Sequence, residues 1–299
     1  MESMRRGFPA THDGTRWDAP VSPGDRGRAS SGSSFRYSFG LLSREKKRGI
    51  ESVYAFCRAI DDLADEGPLD AGRAERGLEM YREEVSRCYG GSPMLPVTRD
   101  LQAAIGRFGI PRQPLQDLLD GVAMDLRKAR YRDFDELRVY CLRVASAVGL
   151  VCLPIFGCGD GRSRTYAIDL GIALQLTNIL RDLKTDAARG RIYVPLDEIA
   201  ECGYSEAELL RGEHTPAYLD LMRRQADRAH RHFDSAALVL PEPDRPRLVA
   251  AEVMRAIYLK LLRRIERRKF RVFERRITVP RLQQLGVALR AWALGEVGV

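Results

Sequence analysis

The sequence predicts an all-α fold built as a single domain. Three observations carry this. From Phe35 onward apolar residues recur at spacings of three and four. Alternating β-branched runs are missing. Gly- and Pro-rich breaks cut the chain into pieces of helical length.

The elements follow in order. Residues 1–32 are rich in Gly, Ser, Pro, Arg and Asp and show no periodicity. They are expected to form a disordered arm ahead of a domain spanning 33–299. Breaks are expected at Gly67-Pro68, Gly90 to Pro93, Gly109 to Pro114, Gly157 to Gly161, Gly190 to Pro195 and Pro241 to Pro246. That spacing leaves roughly eight to ten helices, with no solenoid repeat. A chain of 299 residues, 44% hydrophobic, can bury a sizeable core.

Composition narrows the function classes. The net charge of +8 favours anionic partners. The six cysteines form no C-x-x-C pair, which points to a reducing compartment and no structural zinc. The longest apolar stretch, "VASAVGLVCLPIFGCG", is short and broken by Pro154, so no transmembrane helix is expected. Arg5 and Arg6 precede no apolar run, which argues against a secretory signal. The expected location is cytoplasmic.

Two stretches set acids into apolar helical text. In "RAIDDLADE", Asp61 and Asp65 are i and i+4, and Arg58 and Tyr54 continue their stripe backward. Val53, Phe56, Cys57 and Ile60 occupy the other faces. In "ALQLTNILRDLKTDAARGRIYVP", Gln175, Asn178, Asp182, Asp186 and Arg189 follow at steps of three and four among Ile172, Leu174, Leu176, Ile179 and Leu180. One such acid pair alone is ordinarily a solvated face. Helices apolar nearly all round are buried, so both polar stripes are expected to face an interior cavity. Two carboxylates about 6 Å apart at an effective dielectric near 20 repel by roughly 3 kcal/mol. Divalent cations would relieve that repulsion, with substrate phosphates completing the shell as at Mg²⁺ sites. Arg58, Arg181, Arg189 and Arg191 suit diphosphate oxygens.

This pair of motifs resembles the squalene/phytoene synthase family of head-to-head prenyl synthases. The likeness covers residues 33 to 293 in five ordered segments: "SSFRYSFGLLSREKKRGIESVYAFCRAIDDLADE", "GVAMDL", "YCLRVASAVGLVCLPIFG", "QLTNILRDLKTDAARGRIYVP" and "MRAIYLKLLRRIERRKFRVFERRITV". The resemblance implies a helical bundle of the isoprenoid synthase type with a central cavity. It implies that Asp61, Asp65, Asn178, Asp182 and Asp186 hold two or three Mg²⁺ ions together with the substrate diphosphate. It also implies that Ser34, Phe35, Tyr54, Arg58, Gln175, Asn178, Arg181 and Arg189 line the substrate region, and that Tyr140 steers the carbocation or its proton loss.

Within the family, "FCRAIDDLADE", "VASAVGL" and "RAIYLKLLRRIERR" look closest to bacterial presqualene diphosphate synthases of the hopanoid–squalene route. That likeness implies two farnesyl diphosphates as substrates, no NADPH, and downstream isoprenoid enzymes as neighbours in the route. The alternative is a phytoene synthase joining two geranylgeranyl diphosphates. A catalytically inactive assembly factor should have lost motif aspartates, and all four are present. "TVPRLQQL" departs from the family pattern in lacking a serine and a lysine, and Gly32-Ser33 stands where a serine–arginine pair occurs in squalene synthases.

Two further features stand apart. His230 and His232 point to different helix sides and should share no metal. The run "RRIERRKFRVFERR" (263–276) reads as a solvated helix face or as a basic patch for the inner face of an anionic membrane. Its Phe270 and Phe273 supply little of the stacking that a nucleic-acid surface needs, so no nucleic-acid partner is expected.

Overall fold

The computed structural model describes residues 42–65 and 71–293. The arm 1–32, and Ser34 and Phe35 with it, lie outside the described residues. Among the described residues twelve α-helices occur and no strand. They are α1 (Arg44–Asp65), α2 (Ala71–Gly90), α3 (Pro96–Phe108), α4 (Arg112–Arg127), α5 (Phe134–Cys141), α6 (Ala147–Phe156), α7 (Arg162–Ala188), α8 (Leu196–Glu201), α9 (Glu206–Arg211), α10 (Pro216–Val239), α11 (Val249–Arg267) and α12 (Arg281–Ala293). A π-helical turn, Leu142–Ser146, joins α5 to α6.

The predicted punctuation recurs as geometry. Gly109 and Gly157 close α3 and α6 in the left-handed conformation, which costs a glycine nothing. Turns at Gly203 and Gly212, which the expected breaks did not include, set off the short α8 and α9 and raise the helix count above the eight to ten expected. Lys128–Asp133 separates α4 from α5, held by a single parallel bridge between Arg130 and Ile192. Asp133 caps α5 through the Glu136 amide, a legible D-x-x-E signal. The basic run is not one helix. α11 ends at Arg267, and Lys269 and Phe270 then take positive φ values of 49° and 56°. Phe270 and Val272 are buried, which anchors this irregular stretch to the core.

Helix α7 is the axis of the fold. It packs against α10, the π turn, α6 and α11. Its approach to the π turn depends on Gly171, where a Cβ would lie 2.5 Å from the Ser146 Cα. Ser146 Oγ donates to the Ile168 carbonyl at 2.8 Å and locks that contact. A π turn widens a helix locally and recurs at functional sites. By length and composition the continuous helix Phe134–Phe156 could cross a membrane, although the sequence reading found no such segment. Of its apolar window, 56% is instead buried inside the protein, against α4 and α7.

All six cysteines are free, as their spacing suggested. Burial pushes the Cys141 and Cys152 thiols up to about 12, so both act as small apolar groups. His230 faces Glu266 while His232 Nδ1 lies 2.8 Å from Asp169, so the two histidines do serve different neighbours.

Candidate functional site

The polar stripe of α7 lies inside the protein. Gln175, Thr177, Asn178, Arg181, Asp182 and Asp186 are all buried. Between Leu170 and Leu183 leucine, isoleucine and alanine fill most of the remaining positions, so neighbouring helices pack around this stretch and enclose its polar residues. Buried polar groups need partners. Asn178 Nδ2 donates to Gln175 Oε1 at 3.4 Å, and the Thr177 hydroxyl donates to the Ala173 carbonyl at 2.8 Å. Arg181 grips both oxygens of Asp182, at 2.9 and 2.5 Å. Arg276, from the stretch after α11, adds a third contact to Asp182 at 3.4 Å. The sequence assigns Arg181 to diphosphate oxygens, whereas the fold also pairs it with the neighbouring carboxylate. This guanidinium fork at Asp182 offsets the carboxylate repulsion along the stripe.

The stripe of α1 is more open. Ile50, Val53, Phe56 and Ile60 are buried, while Tyr54, Arg58, Asp61 and Asp62 are intermediate. Arg58 forms an ion pair with Asp62 at 2.8 Å, so the acid beside the motif, and not only a substrate, engages it. Asp61 borders a small pocket with Cys57, Ile60, Leu118, Val122, Val144 and Val148. Asp65 is the last residue of α1, and its side chain lies outside the described set. Arg189 caps the end of α7 and is exposed.

Tyr140 is fully buried and donates to Asp125 Oδ2 at 3.1 Å. Tyr193 donates to Asp125 Oδ1 at 2.9 Å. The rings of Tyr131, Tyr140 and Tyr193 pack within 5.6 Å of one another between centroids. Asp125 is therefore a buried carboxylate gathered by two hydroxyls. Asp125 lies in "GVAMDL" but is not among the site residues expected from the motifs. Its signal in the sequence is an acid set directly among Val122, Ala123, Met124 and Leu126.

Two further pockets border α7. An apolar one of about 90 Å³ lies between α6, α7 and α11, with Phe156, Leu170, Leu174 and Met254 in its wall. It shares Val148 with the pocket beside Asp61. A second, about 380 Å³ and of mixed polarity, is bordered by Arg181, Tyr258, Arg276, Arg281 and Gln284. Tyr258, Arg276, Arg281 and Gln284 escaped the sequence reading. They come from α11, α12 and the irregular stretch between, and no periodicity ties them to α7. Leu174 and Arg181 are seven residues apart, about 10 Å along a helix. One helix thus sets a dry pocket and an arginine-rich pocket about two turns apart.

Oxygen donors on one buried helix face suit a hard divalent cation, and Asn178, Asp182 and Asp186 offer them. Among the described residues no three His, Cys, Asp or Glu side chains converge closely enough to hold an ion alone. Substrate oxygens and water would complete the shell, which is the usual habit of Mg²⁺.

Comparison with known proteins places this arrangement. Residues 28–283 match the squalene/phytoene synthase family. A phytoene synthase of Arthrospira platensis is 38% identical over 255 residues, covering 80% of this chain and 82% of that protein. Tomato (Solanum lycopersicum) chloroplastic phytoene synthase 1 is 35% identical over 82% of this chain, which spans 61% of the plant protein's length. Among solved structures, squalene synthase HpnC from Alicyclobacillus acidocaldarius superposes with a TM-score of 0.66 at 28% identity, covering 89% of this chain and 90% of that one. A dehydrosqualene synthase superposes with a TM-score of 0.75 at 26% identity, covering 87% and 91%. With its buried carboxylate stripe, its arginine-rich pocket and a match over most of its length, the chain belongs to the squalene/phytoene synthase family.

Proposed function

We propose that this chain joins two geranylgeranyl diphosphates head to head, as a phytoene synthase. The observation that carries a prenyl diphosphate substrate is the order of surfaces along α7: an apolar pocket as far as Leu174, then a buried carboxylate stripe that carries Arg181 of the arginine-rich pocket within it. Such a molecule has the same order, an apolar tail and a doubly charged head. The weight toward the C20 substrate comes from sequence, since the phytoene synthase of Arthrospira platensis shares 38% identity over most of both chains. That reverses the preference for farnesyl diphosphate drawn from the motifs.

In this reading Arg181 and Arg276 receive diphosphate oxygens, and Asn178, Asp182 and Asp186 are the residues that would hold Mg²⁺. Bound Mg²⁺ supplies Lewis-acid stabilisation of the departing diphosphate. Asp61, from α1, is assigned to the first of the two aspartate motifs. The C1–O bond of the first substrate breaks, and its electron pair leaves with the diphosphate. The apolar wall formed by Phe156, Leu170, Leu174 and Met254 keeps water from the allylic cation. The 2,3 double bond of the second substrate attacks C1 of that cation. The released diphosphate then takes a proton from the resulting cation, and the electron pair of that C–H bond closes the cyclopropane. Asp125 fixes the hydroxyl protons of Tyr140 and Tyr193 toward itself, which sets the orientation of both phenol oxygens.

A second reading, condensation of two farnesyl diphosphates to presqualene diphosphate, is favoured by the likeness to squalene synthase HpnC and to a dehydrosqualene synthase. One experiment separates the two. The full chain is incubated with Mg²⁺ and either geranylgeranyl or farnesyl diphosphate, and products are identified by mass. A C40 product from the first substrate, with the second poorly used, supports the proposal. Accumulation of presqualene diphosphate, unchanged when NADPH is added, supports the second reading. Squalene formed with NADPH would overturn both.

A further inference from the structure

Helix α12 is packed the wrong way round for a helix that faces water. Among its described side chains the buried positions are Gln284 and Ala288, with Val287 partly buried against the core. Its outward positions include Leu282, Leu285 and Leu289, which are 82, 40 and 54% exposed. Spacings of i, i+3 and i+7 align the three leucines in one stripe. A water-facing helix normally turns such residues inward. Scattered exposed leucines need no explanation, but a stripe of three on one short helix does.

The surroundings of the stripe indicate its partner. Exposed Arg281 and Arg290 lie to either side of it, and Arg281–Ala293 contains no acidic residue. Arg268, Lys269, Arg271 and Arg275 are exposed in the stretch that leads into the helix. An apolar stripe between cations is the pattern of a helix lying in the plane of lipid headgroups. The leucines enter the acyl boundary, and the arginine stems extend so that guanidinium groups reach phosphates. A second copy of this chain fits less well, because antiparallel pairing of two such helices would set arginine against arginine. The inner side of the same helix supplies Arg281 and Gln284 to the pocket that holds Arg181 and Arg276.

We propose that the outward face of α12 docks on an anionic lipid surface, with Leu282, Leu285 and Leu289 inserted among the headgroups and Arg290 on lipid phosphate. The pocket bordered by Arg281 and Gln284 then lies beside the layer into which prenyl chains partition. Membrane contact shifts from the basic run as a whole to this helix. The inference is independent of whether the substrate is C15 or C20.

The test is flotation of the full chain with vesicles, without substrate. Vesicles of phosphatidylcholine alone are compared with vesicles containing phosphatidylglycerol, at low and at high salt. The wild type should float with anionic vesicles only, and less at high salt. Leu282→Ser, Leu285→Ser and Leu289→Ser together should lower partitioning about tenfold or more, from lost apolar insertion. The melting temperature should not fall, because the three side chains are exposed. Leu289→Ser alone, and Arg290→Gln alone, should each give a smaller loss, which keeps the test valid if the triple variant folds poorly. A wild type that stays with neither vesicle, or variants that float like wild type, would overturn the proposal. A concentration-dependent dimer, lost in the triple variant while no flotation occurs, would give the face to a second copy and also overturn it.

Discussion

The two aspartate stripes differ in how the fold treats them. On α1 the charged residues are half open, and the Arg58–Asp62 pair is 22 and 45% exposed. On α7 the Arg181–Asp182 pair is 1 and 5% exposed and shares Asp182 with Arg276. Similar sequence spacing has produced one stripe that water reaches and one that the protein neutralises itself. The physical reason is position. α7 is enclosed by α10, the π turn, α6 and α11, whereas α1 packs chiefly against α3 and α4. A buried carboxylate must be paired or shift its protonation, and Asp182 is paired. The lesson is that an acid motif on a central helix needs its own cation before any metal arrives.

The largest effect expected is on turnover. Asp61→Asn and Asp182→Asn should each lower kcat by more than the roughly 100-fold that loss of an outer-shell partner costs a metal site. The two should part in stability. Asp61→Asn should leave the melting temperature unchanged, since its site is half open. Asp182→Asn should lower it, because Arg181 is left buried without its carboxylate. Steady-state kinetics across a Mg²⁺ series, with thermal melts alongside, checks both. Near-normal turnover at saturating Mg²⁺ in either variant would remove that aspartate from the site.

The arginines test the same contrast more directly. Arg181→Met leaves the buried Asp182 carboxylate with only the longer Arg276 contact and should cost up to about 3–5 kcal/mol. Arg58→Met breaks a partly exposed pair and should cost less, about 1 kcal/mol. Urea unfolding of the two variants measures the gap. Equal losses would mean that the two stripes share one electrostatic environment.

A third carboxylate calibrates both. Glu84 on α2 is buried and borders none of the three pockets described above. Burial by itself would raise its pKa, but the Thr98 hydroxyl, the amides of Leu95 and Met94, and Arg87 outweigh that and hold it at about 2. Its folded pKa lies below the ordinary value of 4.5, so its stabilisation is present above pH 4.5 and is lost as pH falls toward 2. Relative to Glu84→Gln, the wild type should therefore lose about 3 kcal/mol of stability across that window. Denaturant titrations at several pH values test this. A parallel pH dependence in both proteins would show that Glu84 is not the group responsible.

The smallest effect concerns the tyrosine cluster. Tyr140→Phe and Tyr193→Phe each remove one donor from Asp125 and should each cost about 1–2 kcal/mol of stability. If Tyr140 also steers the cation, only its variant should alter the product ratio measured by mass. Identical product ratios in both variants would leave Tyr140 a packing residue.

The sequence by itself determined the helical fold, most of its breaks, and the residues of both acid stripes. These follow from local rules: apolar spacing, glycine at left-handed positions, and acids placed on faces four residues apart. It missed the break at Lys128–Asp133 and the turn at Lys269 and Phe270, where long-range contacts override the lack of Gly or Pro. Only the tertiary structure decided that Arg181 grips Asp182, that Arg276 joins it across more than ninety residues, and that Asp125 collects Tyr140 and Tyr193. It alone turned the leucines of α12 outward, because the direction of a helix face depends on what packs against it. Spacing along a chain states which residues share a face. Which charge neutralises which, and which face meets solvent, is settled by distances between helices that the sequence does not encode locally.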